Sequence, residues 1–158
     1  MDLLTRLKQG VTTPSPEETR AVAAELGAVL PPDTIIALHG DMGVGKTTFV
    51  QGLARGLGIT EQVTSPTFAI YTLYRGSRTK LVHLDAYRIE HERQIDDLLL
   101  EEFLTSPWCL AVEWPEKTGA WLPEEAWHLT LSIVDGDTHH IVLGENPPPA
   151  TARGARRQ

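Results

Sequence analysis

Apolar side chains recur along this chain with two periods, and the switches between them divide it into elements. Val22, Leu26, Val29 and Leu30 form a stripe at helical spacing. Ser15 stands where an N-cap belongs, Pro16 at the first helical position and Glu18 where it closes a capping box, and Pro31-Pro32 ends the helix. Residues 34–39 are a short β-rich apolar run, after which Phe49, Val50, Leu53, Ala54 and Leu57 return to helical spacing, with Gly56 and Gly58 as the stop. A loop over residues 60–66 leads into a strand predicted over about 67–75, rich in Phe68, Ile70, Tyr71 and Tyr74. Gly76-Ser77 and a second strand over 80–85 follow at once, and so short a connection permits only an antiparallel pair. Residues 88–93 read as a charged loop, Ile95, Leu98, Leu99 and Phe103 as a helix ended by Pro107, and 108–113 as a buried strand. Residues 127–133 alternate as a strand with one wet face does; Asp135-Gly136 signals a hairpin, and Ile141, Val142 and Leu143 return. The first dozen residues carry no clear signal, and no internal repeat is visible.

Between the first apolar run and the helix that follows it, Gly40-Asp41-Met42-Gly43-Val44-Gly45-Lys46-Thr47 fits G-x-x-x-x-G-K-[ST], the phosphate-binding P-loop. Glycines let the backbone wrap closely around phosphates, and the free amides of the loop and helix start converge on the anion. Asp41, Met42, Gly43, Val44, Gly45, Lys46, Thr47 and Thr48 form the candidate nucleotide-binding segment. Lys46 is placed to reach the β- and γ-phosphates and the Thr47 hydroxyl to complete a Mg²⁺ shell. The fold class is therefore α/β: a single P-loop NTPase-like domain over residues 1–144, with a mixed, mostly parallel sheet flanked by helices and a C-terminal antiparallel hairpin. Residues 145–158 read as a Pro-rich, Arg-containing tail, disordered and solvated.

Hydrolysis needs a carboxylate for the metal and a group to position the attacking water. Asp85 and Glu113 each end an apolar strand, where an α/β sheet places its ligands. Thr67, in Ser65-Pro66-Thr67-Phe68, lies where switch proteins sense the γ-phosphate, although the same residues also suit an ordinary loop. His83 shares a strand face with Asp85 and is read either as orienting the site or as a satisfied core histidine. Trp114 packs near the nucleotide or closes the core. His128, His139 and His140 lack the spacing and cysteine partners of a zinc site.

Nothing resembles the Asn-Lys-x-Asp element that reads guanine, so ATP is favoured over GTP, and no arginine-rich lid or arginine finger is evident; a small-molecule kinase and a non-catalytic ATP-binding adaptor are the alternative readings. The net charge of −7 argues against non-specific nucleic-acid binding, and without Arg153, Arg156 and Arg157 it falls to −10. The single cysteine, Cys109, begins an apolar run and reads as a small core residue. With no signal peptide or membrane-length apolar stretch, the expected compartment is the cytoplasm.

Four ordered motifs, residues 40–48, 65–68, His-Leu-Asp-Ala-Tyr-Arg at 83–88 and Glu-Trp-Pro-Glu at 113–116, together resemble the TsaE (YjeE) family from about Ser15 to Val134. The resemblance implies a weak, partner-dependent Mg²⁺ ATPase needed to make threonylcarbamoyladenosine in tRNAs that read codons beginning with adenine. It implies action with the TsaD–TsaB pair and only indirect or weak contact with tRNA. On matching positions, Lys46 and Thr47 hold phosphate and Mg²⁺, Glu113 is the metal-site acid, Asp85 a Walker B-like acid with a role in hydrolysis, and Thr67 part of a switch-like segment. Ala86 stands where the family usually has a large apolar residue, and Met42 where it usually has Leu.

Overall fold

The computed structural model describes residues 1–64 and 70–144. In chain order it places α1 (Leu3–Gln9), β1 (Val11–Thr13), α2 (Pro16–Val29), β2 (Thr34–His39), α3 (Lys46–Gly56), β3 (Tyr71–Arg75), β4 (Lys80–Asp85), α4 (Glu92–Asp96), β5 (Trp108–Glu113), β6 (Trp127–Asp135) and β7 (Thr138–Leu143). The strands form one sheet in the order β1-β7-β6-β2-β5-β4-β3. The central β2 pairs in parallel with β5 and β6, and β4 extends the parallel block from β5. Antiparallel partners close both sides: β3 on β4, β7 on β6, and β1 on β7. Five strands, β1, β2, β4, β5 and β6, thus run the same way.

Period-2 alternation splits the apolar residues between the two faces. Ile36, Leu38, Leu81 and Leu129 join Leu26, Phe49 and Leu53 in one core beneath α2 and α3. Ala37, Val82, Leu84, Leu110 and Val112 join Ile95 and Leu100 in a second core on the other face. Cys109 is buried, and burial pushes its thiol up to about 12, so it is an inert core side chain.

The capping of α2 follows the sequence, with Ser15 Oγ accepting the Glu18 N–H at 3.2 Å. Helices α2 and α3 then meet backbone to backbone. A Cβ on Gly52 would fall far inside contact with the Arg20 carbonyl oxygen, and one on Gly56 would do the same at Ala24. These glycines set how deeply α3 seats, and with it the loop at its N-terminus.

Two expectations change. The helix predicted through Phe103 stops at Asp96, Leu99 turns left-handed at φ 53°, and Leu100–Phe103 is a 3-10 turn. A continuous helix would place Leu99 on the face of Ile95. The core instead takes Leu100 at 1% exposure and leaves Leu99 at 54%. The silent first dozen residues hold α1, capped by Asp2 Oδ1 accepting the Thr5 N–H at 2.8 Å, and β1, which extends the sheet beyond β7. The start predicted for β3 at 67–69, including Thr67, and the tail 145–158 lie outside the described residues. No helix among the described residues is long and apolar enough to cross a membrane.

Candidate functional site: a phosphate loop facing two carboxylates

The turn between β2 and α3 needs glycine at both ends. Gly40 sits at φ 143°, where a Cβ would lie 2.6 Å from the Leu131 carbonyl oxygen. Gly45 caps α3 at φ 93°, in the left-handed region. Between them Val44 turns its side chain into the core at 4% exposure, which anchors the loop, while Asp41 stays in solvent. The Val44 N–H donates to the Asp41 carbonyl at 3.3 Å.

Beyond the C-terminal ends of the parallel strands lies a cleft of about 460 Å³, lined by Met42, Gly43, Gly45, Lys46, Thr47, Thr48, Asp85, Tyr87, Glu113 and Trp114. Of the sequence-predicted residues, Asp41 and Val44 do not line it, and Thr67 lies outside the described residues. Lys46, 5% exposed, donates from Nζ to the Gly40 carbonyl at 2.7 Å and stands 3.6 Å over the Trp114 ring. Burial lowers its pKa below the ordinary lysine value, opposed by the nearby carboxylates of Glu113, Glu116, Asp85 and Asp41.

Asp85 and Glu113 are register partners at the ends of β4 and β5. Glu113 is 5% exposed, and its Oε2 meets His83 Nε2 at 2.6 Å and accepts the Thr47 hydroxyl at 3.2 Å. His83 is fully buried, and its Nδ1 has no hydrogen-bond partner among the described residues. The ring proton therefore belongs on Nε2, donated to Glu113, and this contact holds the Glu113 carboxylate in place. Asp85 Oδ1 accepts the Tyr87 N–H at 3.0 Å, which fixes its carboxylate at the cleft. The Thr47 hydroxyl and the Glu113 carboxylate are adjacent hard oxygen donors, so this donor set fits Mg²⁺.

The sequence leaves Trp114 open between two roles; it caps the Lys46 ammonium and packs against Tyr87 with ring centroids 5.1 Å apart and planes tilted by 54°. Its backbone is left-handed at φ 58°, a strained conformation for a bulky residue that holds the indole over the loop. No periodic pattern signals such a conformation. The adjacent His39 Nε2 meets His128 Nδ1 at 2.8 Å, and burial lowers the His39 pKa. Neither contact was foreseeable from the spacing of the histidines.

Glycine loop, helix start, buried lysine and paired strand-end acids define a P-loop α/β protein. Comparison with known proteins narrows this. The family model described as "Threonylcarbamoyl adenosine biosynthesis protein TsaE" matches residues 13–141. A protein of Bacillus subtilis named as tRNA threonylcarbamoyladenosine biosynthesis protein TsaE is 40% identical over 83% of this chain and 82% of its own length. Proteins of the same name from Treponema pallidum and Streptomyces coelicolor are 35% and 36% identical, over 82% and 84% of this chain and 95% of each relative. The crystal structure of Bacillus subtilis YdiB superposes with a TM-score of 0.70 at 30% identity, covering 94% of this chain and 90% of the other. The chain belongs to the TsaE family, whose role is in the biosynthesis of tRNA threonylcarbamoyladenosine.

Proposed function

We propose that this chain is the Mg²⁺-dependent ATPase subunit of that tRNA modification, slow alone and working with a TsaD–TsaB pair in the cytoplasm. The observation that supports this reading most is the convergence of Lys46, Thr47, Asp85 and Glu113 on one cleft.

In this reading the loop amides and the N-terminus of α3 bind the β- and γ-phosphates. Lys46 reaches the same oxygens from beneath Trp114, which excludes water from one side of the ammonium. Thr47 and Glu113 hold Mg²⁺, with His83 fixing the carboxylate; when bound, the metal neutralises phosphate charge. Asp85, held by the Tyr87 amide, orients the attacking water and takes up its proton. Thr67 belongs to a segment that senses the γ-phosphate. Among the described residues no arginine lines the cleft, so the partner pair completes the site; an arginine finger is worth about 10³–10⁵ in rate. Contact with tRNA is indirect or weak, because a net charge of −7 disfavours it.

The test is reconstitution with radiolabelled ATP, tRNA and the TsaD–TsaB pair. Phosphate release that rises when the pair is added, together with modified adenosine, supports the proposal. Equal release with and without the pair in an active reconstitution, or transfer of label to a small-molecule acceptor, overturns it.

A further inference from the structure

A concavity of about 780 Å³ lies at the other end of the sheet, beside the N-terminal ends of β2, β5 and β6. Trp108, Trp121 and Trp127 line it, all half-buried, together with the carboxylates of Asp33, Glu101 and Glu125. Aromatic walls with an acidic lining suit a ligand that is apolar, extended and cationic.

The last described residue, Gly144, lies beside the groove. The Gly144 N–H donates to the His128 carbonyl at 2.8 Å, one residue from Trp127. Three residues on from Gly144 comes Pro147-Pro148-Pro149, within a reach of about 10 Å. Arg153, Arg156 and Arg157 follow, opposite in sign to the groove. We propose that the groove is the docking site of this chain's own C-terminal segment: the proline run lies against the tryptophans, and the arginines engage the carboxylates and indole faces.

Three physical points favour this occupant. Proline-rich sequences in general favour the extended left-handed helix that aromatic grooves accept, so seating one costs little chain entropy. Arginine pairs with carboxylates through two donors and stacks on indoles, so one residue type uses both surfaces of the groove. Tethering through Gly144 makes the encounter intramolecular, which raises the effective concentration to about the millimolar range. Seating the tail at this end leaves the phosphate cleft open.

The test uses the full chain with Gln158→Cys carrying a nitroxide; the buried Cys109 stays unlabelled. Relaxation of the four tryptophan indole N–H signals reports where the label spends its time. The proposal expects broadening at Trp108, Trp121 and Trp127 but not at Trp114, unaffected by dilution. Arg153→Gln, Arg156→Gln and Arg157→Gln together should weaken the broadening at least about fivefold, as should Glu101→Lys with Glu125→Lys. Unbroadened indoles, or charge variants without effect, would overturn it. Transfer of the effect to an unlabelled, isotope-enriched copy in a mixture would assign the groove to a second molecule and overturn it too.

Discussion

Glu113 is the residue on which fold and chemistry meet, and two substitutions separate its duties. Its buried carboxylate accepts from His83 at 2.6 Å and from Thr47 at 3.2 Å. Bonds to a charged acceptor are worth about 1.5–3 kcal/mol and weaker neutral-range ones about 0.5–1.5, so Glu113→Ala forgoes about 2–4.5 kcal/mol. Relief from burying the carboxylate returns part of that, leaving a net loss of about 1–3 kcal/mol. In a domain of 158 residues this lowers Tm by about 2–12 °C. Glu113→Gln keeps an acceptor for both donors and should stay within about 1 kcal/mol of the parent. It removes the charge, however, so the gain in ATP affinity on adding Mg²⁺ should shrink about 10–100-fold. Thermal unfolding and calorimetry with ATP, with and without Mg²⁺, measure the two effects separately. An alanine variant as stable as the parent would refute the hydrogen-bond hub, and a glutamine variant with an undiminished Mg²⁺ gain would refute the metal assignment.

Other expectations are independent of that residue. Gly52→Ala gains helix propensity of about 1 kcal/mol but collides with the Arg20 backbone, so a net destabilisation of about 1–3 kcal/mol is expected in denaturant unfolding; a stabilised variant would show that α2 and α3 yield easily. Burial lowers the folded-state pKa of His39 below the ordinary histidine value of 6.5, so the unfolded chain binds more protons between the two. Stability should therefore fall as pH drops through 6.5, and His39→Gln should flatten that part of the profile; an unchanged slope would contradict the burial argument. Saturating ATP should change the tryptophan fluorescence, and Trp114→Phe should abolish the response while the tryptophans at the far groove persist; a response surviving the substitution would place the reporter elsewhere.

Much of this arrangement is legible in the sequence. The P-loop sits between β2 and α3 because its glycines interrupt two clear periodicities, and Asp85 and Glu113 end strands because apolar runs ended in acids. What escaped was decided by tertiary packing. Helix α1 is seven residues long and buries only Leu7, so it offers no repeat to read. The Ile95–Phe103 stripe has helical spacing, yet the second core selects Leu100, and the helix ends at Asp96 with Leu99 left-handed beyond it. The seat of Trp114 over Lys46 depends on a left-handed backbone that propensity disfavours, which is why the sequence left two roles open.

Under the proposed function, the loop from Gly40 to Thr47 and the carboxylates facing it bind magnesium adenosine triphosphate. Isothermal titration of the folded parent and of Lys46→Met tests it most directly. Saturable one-to-one binding to the parent is expected, with affinity at least about tenfold weaker once the charged hydrogen bonds of the ammonium are gone. No heat of binding to the parent, or equal affinity in the two proteins, would contradict it.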